Sequence, residues 1–261
     1  MISGSTVFAF IIAAVSTLIL PVLLLVILGV KKKISIVPFI MGVTAFSISQ
    51  IFLRIPLLNT LSTQGWYQDL TTAYIPYILF LSLSAGLFEE SARLGGALLL
   101  KKNRSYKDMI SFGLGHAFCE VILLIGATHI NNIVLCLAIN NPGGALAATI
   151  PLDTLNVVTA QLTAVVPYQV YLGILERISA VLFHIFATVL VFKGVIQKKW
   201  RYYAYAIIAH MLFNLIGILL SGYAGLIIAE AALLVAALAG GMYTLKQREW
   251  AMNEWKTREN A

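Results

Sequence analysis

Long apolar runs separated by short basic clusters set the rhythm of this chain. Apolar stretches lie at about 5–30, 35–57, 72–99, 108–128, 168–192, 202–221 and 223–245. A helix rises about 1.5 Å per residue, so roughly 20 apolar residues cross a ~30 Å hydrocarbon core. Each stretch therefore predicts a membrane-spanning helix. The basic residues fall between them as KKK at 31–33, KKNRSYK at 101–107, KGVIQKKWR at 193–201 and KQREW at 246–250, and no Lys or Arg occurs between Lys107 and Arg177. Placing every cluster on the cytoplasmic side satisfies the positive-inside rule with seven spans, the N-terminus outside and the C-terminus inside. Residues 129–167, with Asn131, Asn132, NNPGG and Asp153, form the long outer segment. A re-entrant piece or an extra short pair of helices both fit its part 130–150, the latter giving eight spans. The tail REWAMNEWKTREN sets Trp250 and Trp255 among charges, the pattern of an interfacial helix.

Composition agrees with a bilayer as solvent. The chain has 261 residues, 60% of them hydrophobic and 11% charged, with mean hydropathy +0.90. A soluble domain of this size could not hide that much apolar surface. No polar or low-complexity stretch is long enough for a separate soluble domain, so residues 1–261 read as one integral, all-α helical membrane domain, with a cytoplasmic tail at 246–261. The formal net charge of +7 follows the loops rather than forming a patch, which argues against nucleic acid and for lipid as the constant partner. The N-terminus MISGSTV lacks the basic start of a cleavable signal peptide. Cys119 and Cys136 carry no disulfide argument. The address is a cell membrane, in character a bacterial plasma membrane.

Ionisable groups inside spans are costly and mark function. Here they are Arg54, Glu89, Glu90, Arg93, His116, Glu120, Glu176, Arg177, His184, His210 and Glu230. Glu89 and Glu90 lie 12 and 11 residues before Lys101, His116 lies 9 after Lys107, His184 lies 9 before Lys193, and His210 lies 9 after Arg201. That is a depth on the order of 13–18 Å for all five, so four helices present Glu, Glu, His, His and His in one layer of the inner half of the membrane. Helical spacing gives each helix one polar edge: Phe112, His116 and Glu120 at i, i+4, i+8; His210 with Asn214; Arg177 with His184; Glu89 with Arg93 as an i, i+4 pair. Lipid cannot satisfy such groups, so the edges face a common interior. The bland readings are a structural ion pair for Glu89, Glu90 and Arg93, an interhelical hydrogen bond for His116, a satisfied core position for His184, and a structural pair for Glu176 and Arg177. Glu120 would serve as a support to a histidine or arginine.

Two adjacent carboxylates and one arginine in a low dielectric can be poised for general-base work. Histidines beside them can donate to an oxyanion, move protons or hold Zn²⁺, and the Asn214 amide adds a neutral donor of the oxyanion-hole kind.

The ordered set EExxR (Glu89–Arg93), FxxxH (Phe112–His116) and HxxxN (His210–Asn214) on three separate spans resembles the glutamate-type intramembrane proteases, which include the CAAX prenyl endopeptidases and the PrsW and APH-1 relatives. Within that group LERISAVLFHI (175–185) is most similar to the YhfC family of intramembrane peptidases. The resemblance covers about residues 70–220 and implies helices around an inner-leaflet cavity where Glu-activated water hydrolyses a peptide bond of a membrane-associated or lipidated substrate. It implies Glu89 or Glu90 as base, Arg93 as its orienting partner, His116 as a water or substrate ligand, and His210 with Asn214 on the oxyanion side. The prenyl-protease pattern is EExxxR, and here the arginine comes one residue earlier, which leaves the choice of glutamate open. His184 joins as a further ligand, and Glu120, Glu176 and Arg177 as supporting residues. No cofactor is required on this pattern, yet His116, His184 and His210 would also suit Zn²⁺, so both kinds of hydrolysis stay open. From a different class, the same Glu/His layer fits a proton-coupled transporter, or a non-catalytic scaffold such as APH-1. The protease reading explains more of the residues jointly.

Overall fold

The structure, a computed structural model, describes the backbone of residues 1–259 and the side chains of residues 1–254. It is all helix. The helices are α1 (Gly4–Val30), α2 (Ile36–Leu61), α3 (Gly65–Thr72), α4 (Tyr74–Leu99), α5 (Tyr106–Asn140), α6 (Ala145–Ala148), α7 (Leu152–Thr163), α8 (Pro167–Gln197), α9 (Arg201–Tyr223) and α10 (Leu226–Glu259). Six of them, α1, α2, α5, α8, α9 and α10, are long and apolar enough to cross a membrane. A seventh span arises if α3 and α4, bent by 114° across Ala73, count as one. The charges of Glu89, Glu90 and Arg93 dilute the apolarity of α4, so the span that carries most of the candidate chemistry is the weakest by hydropathy.

The spans differ from the sequence expectation in three places. The fourth runs on to Asn140 instead of ending near 128. Asn131 and Asn132, which suggest a loop, are helical because the apolar IVLCLAI that follows them continues the same helix. The rest of the outer segment forms α6 and α7, each too short to span. At the C-terminus the expected interfacial helix is instead the continuation of α10, which passes Gly240 and Gly241 without a break. Trp255 of that tail lies outside the described side chains.

The described residues group into two compact units. One comprises Met1–Ile27 with Glu120–Arg177, and the other Leu28–Cys119 with the chain from Ile178 onward. In the first, Ala9, Phe10 and Ala13 of α1 bury against Cys136 and Ile139 of α5, and the Asn140 side chain bonds the backbone of Ile2 in both directions. In the second, Met109 and Phe112 of α5 pack with Val189, Val191 and Phe192 of α8.

Burial in the second unit is inverted relative to a soluble protein. Leu83, Leu87, Ile208 and Leu212 are exposed while Glu90, Arg93 and His116 are fully buried, and Arg93 is the largest fully buried side chain among the described residues. Lipid solvates the apolar face and the protein interior must satisfy the polar one. Glycines bring the backbones close enough to do so. A Cβ at Gly86 of α4 would stand 2.9 Å from the Ile207 carbonyl of α9, and one at Gly42 of α2 would collide with the Phe112 carbonyl of α5. Of the small-residue pairs conspicuous in the sequence, Gly96 and Gly240 pack against Phe112 and Phe186, whereas Gly95 and Gly241 face open space.

Candidate functional site

The five groups expected at one depth meet inside the second unit. Glu89 and Glu90 come from α4, His116 from α5, His184 from α8 and His210 from α9, all buried. The Glu89 carboxylate lies at the centre. Its Oε2 is 2.9 Å from His116 Nε2 and 3.9 Å from His184 Nδ1, and its Oε1 is 3.8 Å from His210 Nε2. The imidazoles crowd one another, with ring centroids 5.0 Å apart for His116 and His184 and 5.6 Å for His184 and His210.

Glu90 faces the other way. Its Oε1 is 2.8 Å from His210 Nδ1, and its Oε2 is 3.4 Å from Arg93 Nε. The arginine therefore pairs with Glu90 at i+3, in place of the expected i+4 pair with Glu89. The reason is competition: Glu89 is turned toward His116 and toward Gln50, whose Nε2 donates to Oε1 at 2.6 Å. Arg93 spends its remaining donors on α8. Nη1 donates to the His184 carbonyl at 2.9 Å and to Thr188 Oγ1 at 3.2 Å, and Nη2 lies 3.2 Å from His184 Nδ1. Thr188 in turn donates to that carbonyl at 2.7 Å. One guanidinium thus ties the carboxylate helix to the helix bearing His184, a planar fork that a lysine could not reproduce.

Gln50 was not among the expected site residues. It sits in a π-helical stretch, Ser47–Arg54, within α2. Such insertions shift the register by one residue and are frequent at functional sites. Arg54 Nη1 donates to Gln50 Oε1 at 3.2 Å, and its other nitrogens donate to Ser84 Oγ and the Leu81 carbonyl of α4. Arg54 therefore points into the bundle. The run Arg54–Gln50–Glu89–His116 is one hydrogen-bonded line that fixes the amide and turns the Glu89 carboxylate. The signal for it was present as Gln50 and Arg54 at i, i+4 within an apolar span, a pair that a census of ionisable groups alone passes over.

Asn214 is half-buried, and no hydrogen bond joins it to this cluster among the described residues. His210 is packed by Phe183, with ring centroids 5.3 Å apart, and Phe183 stacks on Phe213. Phe112 does not touch charge: it packs on Phe192 and covers Gly96.

Glu120, Glu176 and Arg177 belong to the first unit and form their own cluster. Arg177 Nη1 donates to Glu120 Oε1 at 2.9 Å and Nη2 to Glu176 Oε1. The structural-pair reading of Glu176 and Arg177 and the arginine-supporting reading of Glu120 both fit this arrangement. His129 lies within α5, its ring 6.0 Å from that of Phe10. Cys119 and Cys136 are buried and form no disulfide.

One set of ligand atoms among the described residues is compact enough for a metal ion: Glu89, His116 and His184, all within 4.8 Å of one another. Two imidazoles and one carboxylate from three helices are the donor set of many hydrolytic zinc sites. His210 is not in this set; its Nδ1 bonds Glu90 and its Nε2 lies 3.8 Å from Glu89 Oε1.

Comparison with known proteins agrees with the geometry. A Bacillus subtilis (strain 168) protein described as "Uncharacterized membrane protein YhfC" is 32% identical over 152 residues, an alignment covering 55% of this chain and 57% of that protein. The chain thus spans a little over half the length of this relative. No solved structure matches. A family model described as YhfC intramembrane metalloprotease matches residues 16–236, so this multi-pass membrane chain belongs to the YhfC intramembrane metalloprotease family.

Proposed function

We propose that the chain is a metal-dependent intramembrane endopeptidase with Glu89, His116 and His184 as the metal ligands. The observation that carries this reading is the Glu89 carboxylate held 2.9 Å and 3.9 Å from two histidines on different spans. The residues fit the group: two imidazoles and a carboxylate, all buried, offer ligand atoms within 4.8 Å of one another and would hold a divalent ion. A bound divalent ion of the Zn²⁺ type lowers the pKa of water and polarises a scissile carbonyl.

The chain's own residues do the rest. Glu90 accepts the Nδ1–H of His210, which fixes the tautomer and leaves the Nε2 lone pair aimed at the Glu89 side of the cluster. His210 Nε2 takes a proton from the attacking water and returns it to the leaving amine. Glu90 stabilises the imidazolium that forms between these steps, and Arg93, 3.4 Å from Glu90 Oε2, holds that carboxylate in place. On this reading neither glutamate is the base: Glu89 holds the ion and Glu90 orients His210. Arg54 and Gln50 hold Glu89 in the ligating rotamer. Asn214 lies one turn beyond His210 and adds a donor for the oxyanion only when substrate is present. The substrate is a membrane-tethered peptide entering from the leaflet that the basic clusters face.

Purified protein in liposomes, given a library of membrane-tethered peptides, tests the proposal. Cleavage and about one equivalent of bound metal are expected for the wild type, both lost in His116→Ala and His184→Ala. His210→Ala should retain the metal and lose cleavage. Proton or solute flux that disappears in the same variants, with no cleavage by the wild type, would make the protein a carrier and end the protease reading.

A further inference from the structure

Beside the C-terminal end of α4 lies a cavity of about 400 Å³ between α4, α8 and α9, all within the second unit. Its wall has two characters. Leu94, Leu98 and Val191 give an apolar side, while Arg104 and Lys198 bring two cations to the rim. None of its nine described lining residues is acidic. Trp200, 66% exposed, stands at the same rim at the start of α9.

The local backbone explains how the cations reach this place. Arg104 folds back over the end of α4, with Nε donating to the Ala97 carbonyl and Nη2 to the Leu98 carbonyl, both at 3.0 Å. That is favourable because the last carbonyls of a helix carry its negative end. Lys198 occupies the tight turn between α8 and α9 with φ of +56°, which closes the turn on itself through the Lys199 amide and the Gly194 carbonyl at 2.9 Å. Both cations therefore stand beside the cavity mouth on well-defined backbone.

We infer that this cavity binds an anionic phospholipid, with the phosphate at Arg104 and Lys198 and an acyl chain along Leu94, Leu98 and Val191. An apolar wall ending in two cations matches an amphiphile with one negative head. A free anion would leave the apolar side unoccupied, and a zwitterionic lipid would bring its own ammonium against the cations. Tryptophan belongs at the headgroup level of a bilayer, and basic pockets between spans are known receptors of acidic headgroups. The cavity stands apart from the Glu/His cluster in composition, and the inference holds whether or not the chain is a protease. The two adjoin along the chain, however: Leu94 follows Arg93, and Val191 lies one turn beyond Thr188, so a bound lipid braces the two helices that Arg93 ties together.

The test is native mass spectrometry of the full chain in nanodiscs made from equal parts of phosphatidylcholine and phosphatidylglycerol, counting the lipids retained after detergent release. The wild type should retain one phosphatidylglycerol with a preference of about tenfold or more over phosphatidylcholine, since each cation near a headgroup favours the anion by about 1 kcal/mol. Lys198→Asn, which tolerates positive φ, combined with Arg104→Gln, should cut that preference to about threefold or less. Leu98→Glu, at an exposed position that leaves both cations and the helix end intact, should do the same and covers the case in which the double variant fails to fold. Lys31→Gln, in another basic cluster, should change nothing. Equal retention of the two lipids by the wild type, an equal loss in Lys31→Gln, or displacement of the lipid by millimolar inorganic phosphate would each overturn the inference.

Discussion

In one compact unit Arg177 sits between Glu120 and Glu176; in the other Arg93 stands beside Glu90 while Glu89 turns away to the histidines. The inventories match, two carboxylates and one arginine in an apolar chain, and the outcomes do not. Arg177 gives one nitrogen to each carboxylate, and the three side chains are 13–38% exposed. In that cluster the arginine is shared between the two carboxylates. Arg93, fully buried, gives only Nε to a carboxylate and its other nitrogens to the helix bearing His184. The second carboxylate is thereby released to face three imidazoles. A 2:1 ratio of carboxylates to arginine marks a site only when the arginine is engaged elsewhere.

The comparison can be broken at several points. The largest effect is expected at Glu89. Glu89→Gln keeps the volume and the Gln50 contact but removes the ligand charge, and cleavage should fall by about 10³-fold or more with loss of bound metal. Glu120→Gln, the same change in the Arg177 cluster, should alter cleavage by less than about threefold; equal losses in the two would erase the distinction. Next comes Arg93→Met, which strands Glu90 in the interior and should destabilise the fold by about 3–5 kcal/mol. Arg177→Met, with partly solvated partners, should cost about 1–2 kcal/mol; reversible unfolding in detergent measures both. Arg93→Lys should recover part of the stability and little of the activity, because an ammonium cannot reach Glu90 and the His184 carbonyl together. A smaller effect, about tenfold in cleavage with metal retained, is expected for Gln50→Ala, which frees the Glu89 carboxylate to rotate. Asn214→Ala should show the smallest of these losses, and one as large as that of His210→Ala would place the amide in the reaction itself.

Much of this site could be read from residue numbers. His116, His184 and His210 each stand nine residues from a basic cluster, and helices of fixed rise convert equal counts into equal depth. What could not be read was how each side chain turns at that depth. The EExxR spacing allows Arg93 to pair with either glutamate, and Gln50, an uncharged residue in a π-helical stretch, decides by taking Glu89 Oε1. Register shifts of that kind have no signature in an i, i+4 pattern. The seven apolar stretches were legible because hydropathy accumulates over twenty residues. The extension of the fourth to Asn140 was not, because two asparagines look like a loop until a full helix flanks them. The 114° bend at Ala73 did have a signal: Pro76 has no N–H for the Thr72 carbonyl four residues back, where the first helix ends.

Gly86 carries a consequence that belongs to inheritance rather than chemistry. A single added carbon there would meet the Ile207 carbonyl at 2.9 Å and the His210 Cβ at 3.3 Å, one turn from Glu90. Any side chain at this position pushes α9 outward and takes His210 with it, although the residue itself bears no functional group. The gap between two helices is thus recorded in the genome as one codon for the smallest amino acid. Substitutions of the exposed leucines around it, Leu83 and Leu87, are expected to be tolerated, and those of this glycine hardly at all.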